Sequence, residues 1–225
     1  IPYFGYARAD RKTSGRESIT AKLTANLLEK SGVDRVLAMD LHSAQIQGYF
    51  DIPCDHIYGS PVLIDYLETL NLSEIVVVSP DVGGVARARA FAKLMKDAPL
   101  AIIDKRRSAH NISESLTVIG EVKGKTAILI DDMIDTGGTI CSGGNLLKKE
   151  GAEKVFACAS HAVFSPPSHE RLSMKNLFEQ VIVTNSIPVS QKDYFPQLKV
   201  LSVANMLGEA IWRIHEESSV SSMFR

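Results

Sequence analysis

The chain alternates between short runs of consecutive apolar residues and longer segments in which apolar residues recur every three or four positions. The short runs are rich in Val, Ile and Leu, which is typical of strands that are buried on both faces of a sheet. They predict strands at residues 36–39, 75–78, 100–103, 127–130, 155–159 and 181–183, and a last one at 200–203.

The segments between these runs predict helices that cover the sheet. Ser18 is placed to cap a first helix that Gly32 ends, and Ser60-Pro61 begins a second one. Later helices are predicted to begin at Gly83-Gly84, at Thr139 and at Ala204. Strands that alternate with helices in this way indicate the α/β class with a largely parallel sheet.

Composition narrows the range of partners and compartments. The 225 residues are 45% hydrophobic and carry a net charge of −1, which argues against a nucleic-acid partner and a basic membrane anchor. No apolar run approaches the ~20 residues of a membrane span.

The three cysteines lack metal-ligand spacing and predict reduced thiols, as in the cytoplasm or the plastid stroma. The first residue is Ile1 and not Met, so we expect a piece of a longer protein.

Polar residues collect directly after four of the predicted strands. Ligands of open parallel sheets bind at the carboxyl ends of the strands. One polar loop after a strand is commonplace, but four of them favour a ligand site. The four groups are Asp40 with His42, Asp81 with Gly83 and Gly84, residues 104–107, and residues 131–139.

The last of these groups, DDMIDTGGT, combines carboxylates with a glycine turn. Residues 136–139 lie where a strand passes into a helix, so peptide N–H groups and the helix N-terminus can hold a phosphate there. Asp131 and Asp132 would repel a phosphate, but they can accept hydrogen bonds from vicinal hydroxyls. The segment therefore predicts a site for a phosphorylated sugar.

The other groups have ordinary alternatives that the sequence leaves open. Asp81 with Gly83 and Gly84 is either a plain helix start or a loop for a second phosphate, with Asp81 holding a metal. Residues 105–107 are either a solvated basic run or a cationic lid over transferring phosphates. His42 is either a polar loop tip or a residue that contacts a metal or nucleotide, together with its acidic neighbours Asp40, Asp51 and Asp55.

Together these motifs resemble those of the ribose-phosphate diphosphokinases, also called phosphoribosyl pyrophosphate synthetases. The block DLHSAQIQGYFDIPCD at residues 40–55 matches the long metal-and-nucleotide signature of that family throughout. Shorter blocks match in the expected order at residues 6–8, 79–81, 104–107 and 131–139. The last block is shared with phosphoribosyltransferases in general, so the long block is the more specific one.

The resemblance implies a role for each matching residue. Arg8 and His42 would contact ATP, while Lys105 and Arg107 would be catalytic cations that act on the transition state. The implied ribose 5-phosphate site comprises Arg107, Asp131, Asp132, Asp135, Thr136, Gly137, Gly138 and Thr139. The implied diphosphate loop comprises Asp81, Gly83 and Gly84. The implied Mg²⁺ site draws on His42, Asp81, Asp40, Asp51 and Asp55.

The resemblance also implies two domains of the type I phosphoribosyltransferase fold. Residues 1–59 would be the remainder of an incomplete first domain, residues 60–197 the second domain, and residues 198–225 a strand and helix that return to the first. In that family the missing amino-terminal region lends residues to the ATP site of a neighbouring subunit, so we expect this chain to be inactive alone. A homo-oligomer built from dimers, up to a hexamer, is expected.

The implied reaction is transfer of the β,γ-diphosphoryl group of ATP to O1 of ribose 5-phosphate, giving phosphoribosyl pyrophosphate and AMP for nucleotide biosynthesis. Two alternatives stay open. A nucleobase phosphoribosyltransferase would share residues 131–139 but not the block at 40–55. A regulatory subunit would keep the fold but could lose its cations, whereas Lys105 and Arg107 are present here.

Overall fold

The computed structural model describes residues 1–106 and 115–224. Its helices are α1 (Thr20–Lys30), α2 (Ser60–Thr69), α3 (Val85–Leu94), α4 (Gly138–Lys149), α5 (Ser168–Leu172) and α6 (Ala204–His215). Its strands are β1 (Val36–Met39), β2 (Cys54–Ile57), β3 (Ile75–Ser79), β4 (Leu100–Arg106), β5 (Ser115–Ile119), β6 (Thr126–Ile134), β7 (Lys154–Ala162), β8 (Gln180–Thr184) and β9 (Leu198–Leu201). Within these described ranges, none of the helices has the length and apolar character needed to cross a bilayer.

The chain divides into two compact units. The first comprises Ile1–Gly59 with Val203–Arg225, and the second comprises Ser60–Ser202. The strand predicted near residue 200 was assigned to a segment that returns to the first domain. It lies instead in the sheet of the second unit, because β9 pairs in parallel with β8.

The first unit packs α1 and a 3-10 helix (Ala44–Tyr49) around the parallel pair β1–β2. Ser18 does not cap α1 as predicted, because the helix begins at Thr20 with Ile19 at the N-cap position and no side-chain cap. The strand β2 was not predicted, since its sequence CDHI contains no apolar run. The buried core consists mainly of Phe4, Ala7, Ala21, Ala25, Val36, Ala38, Leu41, Ile46 and Phe50.

The second unit is built on a seven-stranded sheet in the order β5-β4-β3-β6-β7-β8-β9. Every neighbouring pair is parallel except β4–β5, which is antiparallel. The predicted α/β class with a largely parallel sheet is confirmed. The central position of β6 explains its continuous apolar run, because such a strand is buried on both faces.

The alternating side chains of β6 enter two separate cores. Ala127 and Leu129 pack in the cluster that includes residues of α4, whereas Ile128 and Ile130 pack in the cluster that includes residues of α2 and α3. All four side chains are at most 2% exposed. Burying a side chain of this kind stabilises a fold by about 1.5–3 kcal/mol, except for the small alanine. The strand that carries the acidic residues is therefore firmly held.

Two glycines allow α4 to approach β4 and the segment before β8 closely. A Cβ at Gly144 would lie 2.8 Å from Cε1 of Phe178, and a Cβ at Gly143 would lie 2.9 Å from Cδ1 of Ile103. Side chains at these positions would push the helix away from its neighbours. The close packing fixes the position of the N-terminus of α4 relative to β6.

Several strands are longer than their apolar runs predict, among them β4, β6 and β7. β4 continues to Arg106 because β5 pairs with it from Ile119 back to Ser115, and β6 continues to Ile134 because β7 pairs with it that far. Lys105 was predicted to follow the strand at residues 100–103, in a basic run or a cationic lid. It lies instead within β4, opposite Leu116 of β5.

Candidate active site

The junction between β6 and α4 has the geometry of an anion-binding turn. Gly137 occupies the N-cap position with a φ of 74°, a left-handed conformation that glycine adopts without steric cost. Because α4 begins at Gly138, its first N–H groups and the positive end of its dipole lie at the turn. Thr136 and Thr139 are exposed on either side, and Asp135 before them is half-buried. These features suit a phosphate monoester.

Asp131 and Asp132 lie in the last part of β6 and contact the same cation. Nη1 of Arg87, in the first turn of α3, lies 3.4 Å from Oδ1 of Asp131 and 3.7 Å from Oδ1 of Asp132. The backbone N–H of Asp132 also donates to Oδ1 of Asp131 at 2.9 Å. The side chain of Asp131 is 21% exposed and that of Asp132 only 4%, so Asp131 is the more accessible to a ligand.

The environment of Asp131 raises the pKa of its carboxyl group to about 8. Burial is the largest cause, followed by the charge of Asp132 and a hydrogen bond with it. Arg87 acts in the opposite direction but does not cancel the rise. The acidic pair therefore retains a proton near neutral pH. A ligand that supplies hydroxyl donors or positive charge would favour its loss.

The phosphate turn is also contacted by α5, which follows β7. Nη1 of Arg171 donates a hydrogen bond of 3.0 Å to the carbonyl oxygen of Thr136. A Cβ at Gly137 would lie 3.5 Å from Cγ of Leu172, and one at Gly138 would lie 3.4 Å from Nη1 of Arg171. The turn is thus packed against α5 over most of its length.

Asp81 organises a second glycine turn, between β3 and α3. Its Oδ1 accepts a hydrogen bond of 2.8 Å from the N–H of Gly84, and the hydroxyl of Ser79 donates to its carbonyl oxygen at 2.7 Å. A Cβ at Gly84 would lie 2.9 Å from Oγ of Ser79, so the turn requires glycine there. Asp81 and Gly83 are exposed. One carboxylate oxygen of Asp81 holds the turn, and the turn presents an open face to a ligand.

Parallel strand direction brings these groups to one edge of the second unit. β4, β3 and β6 are adjacent and parallel, so their carboxyl ends meet at the same edge. Lys105 is exposed near the end of β4, Asp81 follows β3, and Asp131 lies near the end of β6. Arg107, the second predicted catalytic cation, lies outside the described residues.

In the first unit, two of the predicted metal ligands are engaged in contacts within the fold. Asp40 is 7% exposed, and its Oδ2 accepts a hydrogen bond of 2.7 Å from the N–H of Gly59. Asp55 forms a two-point ion pair with Arg35, with Nε to Oδ2 at 2.6 Å and Nη2 to Oδ1 at 3.1 Å. These contacts favour a structural role for both carboxylates.

The other three predicted residues of the first unit, Arg8, His42 and Asp51, are exposed. Within the described ranges, no three His, Cys, Asp or Glu side chains are grouped so that they could hold a metal ion. The metal-binding roles of these residues stay predictions. Mg²⁺ is commonly bound by one or two carboxylates together with substrate phosphates and water, and the exposed carboxylate of Asp81 fits that arrangement.

Two arginines contact the site although the motifs assigned them no role. Arg87 offered a weak signal, because it is a cation in the first turn of a helix that follows a glycine turn. Arg171 offered none, because 35 positions separate it from its partner Thr136.

Comparison with known families matches both ends of the chain. A family described as phosphoribosyl synthetase-associated domain matches residues 108–225. A second, the N-terminal domain of ribose phosphate pyrophosphokinase, matches residues 1–32.

Individual proteins match over the whole chain. The ribose-phosphate pyrophosphokinase of Prochlorococcus marinus subsp. pastoris is 92% identical over 225 residues, covering 100% of this chain and 68% of its own length. Ribose-phosphate pyrophosphokinase 1 of Spinacia oleracea is 66% identical, covering 100% of this chain and 67% of its own length. The crystal structure of phosphoribosylpyrophosphate synthetase from Mycobacterium smegmatis superposes with a TM-score of 0.89 at 45% identity, covering 96% of this chain and 70% of that one.

Proposed function

The chain belongs to the ribose-phosphate pyrophosphokinase family, and from this membership we propose that it transfers the β,γ-diphosphoryl group of ATP to O1 of ribose 5-phosphate. The products are phosphoribosyl pyrophosphate and AMP. The observation that carries the proposal is the junction of β6 and α4, where an acidic pair is followed by a left-handed glycine turn at a helix N-terminus.

The acceptor substrate would occupy this junction. Residues 136–139 would hold the 5-phosphate through backbone N–H groups and threonine hydroxyls. Asp131 and Asp132 would accept hydrogen bonds from the ribose hydroxyls, with Asp135 completing the acidic side. The carboxylates and the phosphate-binding turn then contact different parts of one molecule. The carboxylates therefore do not have to lie against the phosphate.

The donor substrate would meet the turn after β3. Asp81, Gly83 and Gly84 would hold the diphosphoryl group that is transferred, while Arg8 and His42 would contact ATP. Mg²⁺ is the proposed cofactor, with Asp81 as a protein ligand, and it would neutralise phosphate charge when bound. The metal-binding role that the resemblance implies for His42 stays a prediction. We assign Asp40 and Asp55 to the support of the block at residues 40–55, because their carboxylates are bonded within it or next to it.

In the proposed reaction the O1 hydroxyl attacks the β-phosphorus of ATP. A bond forms between O1 and the β-phosphorus, the bond from that phosphorus to the oxygen bridging to the α-phosphorus breaks, and AMP leaves with that oxygen. The hydroxyl proton is released. Lys105 and Arg107 would neutralise the charge that develops on the transferring group. Such reactions depend mainly on positioning and electrostatics.

The test is a direct assay of the complete protein with ATP, ribose 5-phosphate and Mg²⁺. We expect AMP and phosphoribosyl pyrophosphate in equal amounts. A nucleobase phosphoribosyltransferase would release no AMP under these conditions. A regulatory subunit would bind both ligands without turnover, and either result would refute the proposed reaction.

We further propose a homo-oligomer built from dimers, up to a hexamer. Leu23 and Leu27 of α1 and Ile211 and Trp212 of α6 are at least 50% exposed, and large apolar side chains of this kind are often covered by subunit contacts. Light scattering of the complete protein tests this.

A cytoplasmic or plastid location is proposed from the three cysteines. Cys54, Cys141 and Cys158 are free thiols, as expected in a reducing compartment. Immunolocalisation in the source cell tests this, and a location outside both compartments would refute it.

A further inference from the structure

The helix α5 touches the phosphate turn through one charged side chain. Nη1 of Arg171 lies 3.0 Å from the carbonyl oxygen of Thr136 and 3.4 Å from the position that a Cβ of Gly138 would take. The guanidinium group therefore bonds the turn at Thr136 and lies close to Gly138, on the other side of Gly137.

This contact controls the direction of a peptide group. The carbonyl of Thr136 and the N–H of Gly137 belong to the same planar, trans peptide unit, so they point in opposite directions. When Arg171 holds the carbonyl, the N–H must face away from α5. A turn with two consecutive glycines has many accessible conformations, and a fixed hydrogen bond removes most of them.

The positive charge of Arg171 also reaches the first turn of α4. It acts to lower the pKa of the Cys141 thiol, although burial is the larger effect and raises that pKa to about 11. A phosphate at the N-terminus of α4 would experience the same charge.

We propose that Arg171 is a positioning residue for the 5-phosphate of ribose 5-phosphate. It orients the peptide between Thr136 and Gly137 so that the turn presents its N–H groups to the phosphate, and its charge favours the phosphate dianion. The inference rests on the proposed function, which assigns this turn to the 5-phosphate.

Packing of α5 does not depend on Arg171. The neighbouring Leu172 is fully buried, and its Cγ lies 3.5 Å from the position of a Gly137 Cβ. Arg171 itself is partly exposed. Variants at position 171 should therefore fold, with thermal unfolding as the check.

The main test compares steady-state kinetics of the complete wild-type protein and Arg171→Met. Loss of a charge-assisted hydrogen bond is expected to raise KM for ribose 5-phosphate by about 10- to 100-fold. KM for ATP should stay within about twofold, because the contact serves only the acceptor. Arg89→Met in α3 removes an exposed arginine of the same unit and is the matched control, with both KM values unchanged.

Two conservative variants separate a positioning role from a merely structural one. Arg171→Lys keeps the charge with one donor group, and Arg171→Gln keeps an N–H donor without charge. Both should recover part of the affinity for ribose 5-phosphate. If Arg171→Met leaves KM for ribose 5-phosphate unchanged, or raises both KM values equally, the proposal is wrong.

Calorimetric titration with ribose 5-phosphate alone separates this inference from the proposed reaction. Wild-type protein that binds the sugar phosphate more tightly than Arg171→Met supports the inference, even if turnover with ATP fails. An active wild type whose affinity for ribose 5-phosphate is matched by Arg171→Met refutes the inference and leaves the reaction standing.

Discussion

The signature block of the first unit and the β6–α4 junction of the second unit each contain three aspartates but use them differently. In the block at residues 40–55, Asp40 binds the N–H of Gly59 and Asp55 pairs with Arg35. At the junction, Asp131 and Asp132 meet Arg87 beside a glycine turn that is flanked by the exposed Thr136 and Thr139. A dense motif therefore contains residues that hold the protein together as well as residues that can hold a ligand, and only contacts distinguish them.

The largest effect is expected for Lys105→Ala, which removes a side chain that we assign to the reaction and not to the stability of the fold. Lys105 is exposed, so the fold should be unaffected, but loss of a group that stabilises the transition state typically lowers kcat by about 100- to 1,000-fold. The measurement is steady-state turnover of the complete protein, with Lys154→Ala, at the exposed start of β7, as the control. Unchanged turnover in Lys105→Ala would contradict the assignment.

Asp131→Asn should make the protein more stable while weakening its binding of ribose 5-phosphate. A carboxyl group whose pKa is raised from 3.8 to about 8 binds its proton more tightly in the folded state than in the unfolded state. The wild-type free energy of unfolding should fall as the pH rises from near 4 to near 8, by up to about 1.4 kcal/mol per pH unit, and level off above. Asparagine has no proton to lose.

Urea unfolding of both proteins at several pH values between 4 and 9 tests this. The stability difference in favour of Asp131→Asn should widen across that window. A constant difference would mean that Asp131 is ionised throughout and that Arg87 compensates its charge fully.

Asp40→Ala tests the structural side of the comparison. It leaves the buried N–H of Gly59 without its carboxylate acceptor, which should lower the free energy of unfolding by about 1–3 kcal/mol. Asp40→Asn keeps an acceptor oxygen and should cost less. Asp51→Ala, at an exposed position of the same block, is the control and should be nearly neutral. Equal losses for Asp40→Ala and Asp51→Ala would show that burial of Asp40 has no special importance.

The smallest effect is expected for Asp55→Ala. The ion pair with Arg35 is partly exposed, at 44% for the arginine side chain and 23% for the aspartate, so it should contribute less than about 1 kcal/mol. The loss should shrink further in high salt. Chemical unfolding at two salt concentrations measures this loss. A loss above about 1 kcal/mol would show that Asp55 contributes more to stability than an exposed ion pair does.

The apolar pattern along the chain predicted the central residues of the strands but not the residues at which the strands end. One physical reason explains the difference. Burial on both faces requires a continuous apolar run, which residues 127–130 display. The continuation of β4 to Arg106 and of β6 to Ile134 depends on pairing with β5 and β7, and the apolar pattern contains no information on neighbours. The same limit hid β2, which has few apolar side chains and pairs in parallel with β1.

The candidate site divides in the same way. The turn at residues 136–139 could be predicted, because glycine conformation and helix N-termini are local properties. The contacts of Arg87 and Arg171 could not, because they depend on strand order and on the return of α5 to the end of β6. The roles given to Arg8, His42 and Arg107 stay predictions.

The contact between Arg171 and Thr136 also has a consequence for synthesis on the ribosome. The two residues are 35 positions apart, so at about 5–20 residues per second the glycine turn leaves the ribosome roughly 2–7 s before the arginine that restrains it. During that interval β6 has been made, but its turn lacks its partner. A nascent chain that has not yet reached α5 would therefore contain all of residues 131–139 and still lack the restraint that sets the direction of the Gly137 N–H.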